Sequence, residues 1–536
     1  MSEILNILPI HLNIKNHQKR DSMTDRFLAK NLLARLLFIL VLSAGFQTYS
    51  LAQSTGTLDT SFGVNGKVIT PIDTISDKGY SIAIQSDDKI ILGGSTMNSW
   101  TSYNFALLRY NNDGTMDNTF GTGGKVITPI ETQSEGYSVV IQNDGKILLG
   151  GADQWNINLV RYNNDGSLDT TFGIGGIVIT DIPGYYDENC KSVAIQSDGK
   201  IIIGGFAAHG SNDLRHFVLL KYNSDGSLDT AFGAGGIVIG GLGECQSLKI
   251  QNDGKILLGG TSNLSFAVER YNSNGILDTT FGIGGKVTTY FEYNGFGNSM
   301  EIQVDGKIIL GGHHGLLSGS SAFALVRYLS DGSLDNSFGI GGIVTTPVGI
   351  SSRGRSVVIQ SDGKIILAGE AKDGSNLFDF ALVRYNSNGT LDATFGLGGK
   401  TITPIGISYS SGESVGIDSN GKILLGGFAY NGSSVEMALL RYHSNASVGI
   451  GSFKQIDNTI YPNPFNSSTT ILFSTPLHNA ELNIYNAYGQ LVNHLENISG
   501  QDIQLSRNNL PSGIYFFQLT ENNKIIGADK LIISDE

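Results

Sequence analysis

The side chains in this sequence that most invite a metal are two adjacent histidines, His313 and His314, in GGHHGLL. Their adjacency counts against them, because neighbouring residues on a strand point to opposite faces and cannot easily share one ion. Asp181, Asp187 and Glu188, in TDIPGYYDENC, form an acidic group that would suit acid/base work; solvated loop carboxylates are the alternative. NNDGSLD, Asn163 to Asp169, offers oxygen ligands like those of a calcium loop. An EF-hand pattern needs alternating ligands and a closing glutamate, and Phe172-Gly173 interrupts it. The expectation is therefore no cofactor, with calcium as the alternative, and with Asn and Asp making Asx turns beside a Gly of positive φ. No HExxH, GxSxG, P-loop or CxxC occurs, so no catalytic residue is assigned.

These residues are carried by a repeat. YNNDGSLDTTFGIGGIVIT, Tyr162 to Thr180, recurs in recognisable form on Phe62, Phe120, Phe172, Phe232, Phe281, Phe338 and Phe395, a spacing that signals stacked supersecondary units. Each unit also holds an SDGK-like turn between SVAIQ and KIILGG runs, as at Asp198-Gly199 and Asp362-Gly363. Asp-Gly between alternating apolar runs is a strong hairpin signal. With FALLRYN and GKVIT the unit reads as four strands, and seven such units predict an all-β chain, a seven-bladed β-propeller over 53–445. In strand order the chain begins on an outer strand, Gly66 to Thr70, and ends near Tyr442 without one. Pairing of Lys67–Thr70 with Ala438–Tyr442 is therefore expected to complete the seventh blade. The basic residue before each Tyr (Arg109, Arg161, Lys221, Arg270, Arg327, Arg384, Arg441) is expected to pair with the aspartate of LDxxFG.

Residues 1–52 read as a signal peptide: an apolar run, Leu36 to Phe46, follows Arg26, Lys30 and Arg35 and precedes Ser50-Leu51-Ala52. Met23 is the expected true start. The run is short of the roughly 20 apolar residues that span a bilayer, so no transmembrane segment is expected after its removal. The chain carries a formal charge of −13, and the leader holds six Lys or Arg against three Asp or Glu, so its loss leaves −16. Such acidity argues against nucleic acid as a partner. Cys190 and Cys245 fall at equivalent places in successive units, which leaves a disulfide open.

The RYN-x-DG-x-LD-x-x-FG-x-GG pattern followed by DGKI resembles the delta-60 repeat family over nearly all of 57–443. That resemblance marks a fold and is silent on activity. After a linker at 446–458, alternating runs at Thr470 to Phe473, Glu481 to Tyr485, Ile503 to Leu505, Ile514 to Leu519 and Lys530 to Ile533, with turn residues between them, predict a small Ig-like β-sandwich over 459–536. This region resembles the type A C-terminal sorting domain of type IX (Por) secretion substrates. The residues that carry the likeness are Tyr461-Pro462-Asn463-Pro464-Phe465, then LNIYNAYGQLV with Gly489, LPSGIYFFQLTEN with Gly513 and Tyr515, and the terminal KLIIS with Lys530. The resemblance implies a Bacteroidota-type cell, the type IX machinery as partner, and a secreted or outer-surface location.

The expected function is a secreted or surface binding or adhesion propeller; a polysaccharide- or peptide-degrading hydrolase or lyase is the alternative. Two connections vary freely between repeats, the one into SVAIQ and the one between KIILGG and FALLRYN, and alternating strand direction brings both to one face. That face is expected to bind a glycan or protein ligand through Trp100, Tyr103, Trp155, Tyr185, Tyr186, His209, Tyr293, His313, Arg353, Arg355, Tyr409 and Tyr430. Clustered carboxylates around the axis would favour the enzyme.

Overall fold

A computed structural model describes residues 55–73, 75–99, 102–131, 133–210, 214–374, 377–444, 458–486, 491–521 and 524–535. The leader, Trp100, Gly489 and most of the linker lie outside the described residues. The described secondary structure is all strand apart from turns.

Seven four-stranded antiparallel blades follow one another, each in strand order first to fourth. In blade 2 these are Glu135–Ile141, Ile147–Ala152, Ile157–Tyr162 and Ile177–Thr180. The first strand of every blade touches the first strands of both neighbours, so these seven surround the axis. The cores lie between blades: Ile91, Phe105 and Leu107 of blade 1 pack against Val139, Ile147 and Leu149 of blade 2. Blade 7 is composite, because Lys67–Thr70 pairs antiparallel with Met437–Leu440. The expected closure is therefore present, with the partner segment shifted toward Met437. Leu58 extends it by bridging to Tyr442.

The repeated residues explain the closure of each joint. Each LDxxFG aspartate meets the basic residue of its own unit, at 2.7 Å for Arg109–Asp117 and 2.9 Å for Arg441–Asp59, and more loosely at 3.8 Å for Lys221–Asp229. The lysine of the SDGK turn reaches the same carboxylate, as Lys146 does to Asp169 at 2.9 Å. The guanidinium also lies over the repeat phenylalanine and donates to a carbonyl of the next blade, for example Arg161 over Phe172 and onto Ser224. In the turn itself Asp165 Oδ1 accepts from the backbone and hydroxyl of Ser167, an Asx turn, and Gly166 has φ 88°.

A further ring is made by serines. Ser81 Oγ accepts from Val139 N–H at 3.1 Å, Ser138 from Val193 at 3.0 Å, and so on through Ser192, Ser247, Ser299 and Ser356 to Ser414, which accepts from Ile82 at 3.1 Å. Seven otherwise unpaired edge donors are thus satisfied in one closed circuit.

The 459–534 region forms a small β-sandwich from one curled five-stranded sheet. The runs expected as separate strands near Thr470 and Glu481 are halves of one strand, Ser468–Asn486. Its first half pairs with Asn458–Tyr461 and its second with Gly513–Glu521, and pairing lapses around Pro476. Ile471, Leu482, Phe517 and Leu531 fill the core between the halves.

Candidate functional site

A site must break the sevenfold pattern, and the inner strands do so at one register position. In each, one residue bulges between a small residue and the ring serine: Tyr80, Tyr137, Lys191, Gln246, Asn298, Arg355 and Glu413. The bulge is imposed by the second strand. At Gly151 an added Cβ would lie 2.0 Å from the Glu135 carbonyl oxygen, and Gly94, Gly205, Gly260, Gly312, Gly369 and Gly427 are as tight. Bulges re-aim side chains, and here seven side chains of six kinds are turned toward the axis on the variable-loop half of the strands.

Together with Phe428 and Phe206 of second strands, Phe378 at the start of a third strand and Tyr409 just before the first strand of blade 7, they make an aromatic arc over blades 6, 7, 1, 2 and 3. Ring centroids are 6.0 Å apart for Phe378–Tyr409, 5.8 Å for Tyr409–Phe428, 6.4 Å for Phe428–Tyr80 and 5.2 Å for Tyr80–Tyr137. Lys191 Nζ lies 3.3 Å from the centroid of Tyr137 and 5.8 Å from that of Phe206. Arg215 covers Phe206 at 4.7 Å and Arg353 covers Phe378 at 4.7 Å. Burial pushes the Tyr80 and Tyr137 phenols far up, and the carboxylate of Glu135 adds to it. Both rings therefore stay neutral donors throughout the physiological range.

Carboxylates also gather here. Fully buried Glu370 accepts from Arg353 at 3.2 Å, Arg355 at 3.1 Å and Tyr409 at 2.9 Å. Glu413 accepts from Ser411 and stands 3.9 Å from Arg355. Tyr137 donates to Glu135. On blade 3, Arg215 bridges Asp187 at 2.7 Å and Glu244 at 2.8 Å.

Of the expected ligand residues, Arg353, Arg355 and Tyr409 converge on Glu370. His313 stacks on Phe296 at 5.1 Å; burial and the two arginines depress its pKa to about 3, so it is neutral. Tyr185 and His209 pack together at 5.0 Å as a second group, beside Tyr186, whose hydroxyl donates to the Gly210 carbonyl. Tyr103 and Tyr293 are half-buried at separate blades, Tyr430 donates to the Gly432 carbonyl, and Trp155 stands 58% exposed on its own loop. The structure does not bring these four together. Sequence reasoning missed Tyr80, Tyr137, Lys191 and Glu413, although one variable position in an otherwise uniform GxSV strand was visible.

His313 and His314 do face opposite ways, His314 stacking on Phe291 at 4.9 Å. No cluster of metal-ligating side chains occurs among the described residues. Cys190 and Cys245 are free, buried thiols that take the place of glycine before the bulge, and burial pushes Cys190 up to about 12. Glu188 is not a solvated loop carboxylate. It is fully buried, accepts from Ile182 N–H at 2.6 Å, and desolvation, aided by the nearby charge of Asp181, pushes its pKa up to about 7.

A second break in symmetry lies at blades 3 and 4. Six repeat tyrosines bond a threonine of the preceding outer strand, as Tyr162 does Thr128 at 2.8 Å. At the seventh, Gly240 replaces the threonine and buried Glu269 replaces an aliphatic residue, accepting from Tyr271 at 2.5 Å and pairing with Lys286 at 2.8 Å. A Cβ on Gly240 would meet both Tyr271 and Glu269 within 2.6 Å. The carboxylate thus fills the space that the missing threonine leaves.

In the C-terminal domain the YPNPF segment clamps the last strand. Asn463 accepts from Ile532 N–H at 2.8 Å and donates to the Lys530 carbonyl at 3.1 Å, and Phe465 is buried. Tyr515 donates to the Pro511 carbonyl at 2.8 Å, while Tyr461 and Lys530 are exposed.

Comparison with known families agrees with this architecture. A domain of unknown function, the DUF5122 β-propeller, matches seven times, at 85–120, 142–172, 196–232, 251–281, 303–338, 360–395 and 419–448. The secretion system C-terminal sorting domain matches 459–534. The chain is a DUF5122 propeller with a secretion sorting tail. As the tail marks it, the DUF5122 propeller is exported by type IX secretion to the cell surface or the extracellular space. No helix among the described residues is long and apolar enough to cross a membrane. No curated protein matches the chain. Among solved structures, PorZ, a surface component of the type IX system of Porphyromonas gingivalis, is 13% identical with a TM-score of 0.36. That match covers 87% of this chain and spans 60% of PorZ. A Dyadobacter fermentans protein of unknown function is 11% identical over 71% of this chain and 100% of its own, also with a TM-score of 0.36. The NanB sialidase of Streptococcus pneumoniae is 9% identical over 73% and 70%, at 0.36.

Proposed function

We propose that the exported propeller is a carbohydrate-binding protein whose ligand rests on the axial arc and is bordered by the variable connections. The observation that supports this reading is the run of rings from Phe378 to Phe206, in which Tyr409 is exposed, Tyr80 and Tyr137 are half-buried, and Phe378, Phe428 and Phe206 lie buried behind them. Aromatic faces suit the C–H faces of pyranoses, while the phenols, Asn298, Gln246 and the basic residues offer hydrogen bonds to hydroxyls. The other loop residues, Tyr103, Trp155, Tyr185, Tyr186, His209, Tyr293 and Tyr430, would contact longer ligands at the rim.

The test is an oligosaccharide array followed by calorimetry on the full chain. Tyr80→Ala and Tyr137→Ala are expected to weaken the strongest hit at least tenfold, while Val64→Ala, on the opposite face, leaves it unchanged. Equal binding by all three variants refutes the placement. The hydrolase reading draws on Glu370 and Glu413, but Arg353, Arg355, Tyr409 and Ser411 already engage these carboxylates. Acid/base glycoside hydrolysis needs one carboxyl holding a proton and one free to act on water or the anomeric carbon. Release of reducing ends from an array hit, abolished by Glu413→Gln, would establish that reading instead.

A further inference from the structure

The basic residues around the axis differ in what they already hold. Arg215, Arg353 and Arg355 each have a carboxylate within 4 Å. Lys78 and Lys191 have none among the described residues, and their recorded partners are rings: Phe428 at 5.7 Å for Lys78, and Tyr137 and Phe206 for Lys191. A ring face attracts an ammonium but accepts none of its hydrogen bonds in the way a carboxylate does. These two amines flank Tyr80 and Tyr137, the centre of the arc.

From this placement, which rests on the carbohydrate reading above, we infer that the ligand is an acidic sugar, a pyranose bearing a ring carboxylate, whose carboxylate is received by Lys191 with Lys78 on the other side of the two tyrosines.

The electrostatics agree. Lys191 is desolvated, and burial lowers its pKa to about 8, although Glu135, Cys190, Glu244 and Asp187 act to raise it. The three carboxylates among these stand too far away to pair, so the amine remains short of a direct counterion. A ligand carboxylate placed against it would supply one in a low-dielectric setting, where charge-assisted hydrogen bonds are strongest. Binding must then favour the protonated amine. Of the other groups facing Lys191, Arg215 keeps its charge, Cys190 is pushed up to about 12 and Tyr137 higher still. Lys191 is thus the group in this surrounding that changes charge between pH 7 and 10.

The experiment compares trigalacturonate with its trimethyl ester, the same chain without the charges, by calorimetry on the full protein between pH 6 and 10. The acid is expected to bind at least tenfold more tightly than the ester at pH 7. Its affinity should hold below pH 7 and fall about tenfold per unit above pH 8, whereas ester binding stays flat. Lys191→Arg should keep the acid bound and abolish the decline; Lys191→Gln should reduce acid binding to the ester's level. Equal affinity for acid and ester overturns the inference and leaves the carbohydrate reading standing. Preference for the acid with no change in Lys191→Gln overturns the assignment of the amine. Failure of both sugars, with failure of all neutral glycans on the array, overturns the carbohydrate reading itself. Thermal melting of each variant separates loss of the site from loss of the fold.

Discussion

Asp59 is where the ring is sealed, and its removal should be felt by the whole propeller. Its carboxylate is 2% exposed and accepts from Arg441 Nε at 2.9 Å, from Ser61 Oγ at 2.7 Å and from Lys422 Nζ at 3.1 Å. Burial would raise its pKa, but the Ser61 and Lys422 hydrogen bonds and the Arg441 charge more than offset this and hold it well below the usual carboxylate range. Asp59→Ala leaves the Arg441 guanidinium, 8% exposed, without its close partner, the nearest remaining carboxylate being that of Asp418 at 3.9 Å. Stranding one partner of a buried pair costs about 3–5 kcal/mol. For a unit the size of residues 55–444 the unfolding entropy is on the order of 0.8 kcal/mol/K, so the melting temperature should fall by about 4–6 °C. Differential scanning calorimetry of the full chain reads this directly. Adding Arg441→Met to Asp59→Ala should recover most of the loss, because the stranded charge goes with it. The depressed pKa gives the sign of the pH effect. The contribution is present above the unfolded value near 4 and is lost as pH falls toward the folded one, so wild type and Asp59→Ala should converge in acid. A shift below 1 °C at pH 7, or a double variant no better than the single, refutes the reasoning.

Ser299→Ala should cost about 1–2 kcal/mol in urea unfolding, since it strands the Val357 N–H of the neighbouring blade. Gly240→Thr alone should destabilise by about 2 kcal/mol through overpacking; with Glu269→Val it should come back to wild type, because the pair restores the threonine–tyrosine contact of the other joints. Glu188, with its pKa raised from 4.5 to about 7 on folding, costs stability that accumulates as pH rises between those two values and levels off above the higher one. The melting temperature of wild type should therefore fall between pH 5 and 7 by more than that of Glu188→Gln, and parallel curves would contradict the burial argument.

The repeat was legible because Asp-Gly turns and LDxxFG recur with little change, and the Arg–Asp pairing followed from their constancy. The closing strand followed from counting. The axial arc was not legible in the same way, since a bulge breaks the two-residue alternation and turns Tyr80, Lys191 or Glu413 to a direction that the pattern does not predict. Trp155 was chosen for its ring alone, and nothing local in sequence says that its loop stands apart from the axis. Glu269 was overlooked because its meaning depends on Gly240, which lies on another blade. In the sorting domain, turn-like residues around Pro476 were read as a break between strands, whereas one long strand bends there and continues.

The composite blade also bears on the order of assembly. The contact of Arg441 with the Asn112 carbonyl joins residues 329 apart, against 60 for the equivalent reach from Arg270 to Ser330. Closing the longer loop from an open chain costs roughly 1.5 kcal/mol more, by the logarithmic dependence on length. The larger effect is temporal. Emerging from the ribosome or from a translocation channel, blades 1 to 6 can each form from local sequence, but the circuit of serines stays open until Ser410–Ile417 has reached the first blade, and the seventh blade stays unfinished until Val435–Tyr442 has appeared and found the segment 55–70. Until then the first blade and the unfinished seventh both present bare strand edges, the kind that attract other chains. The last stretch made before the linker is thus the one that ends this exposure, and a chain stalled short of Tyr442 would be the species most prone to self-association.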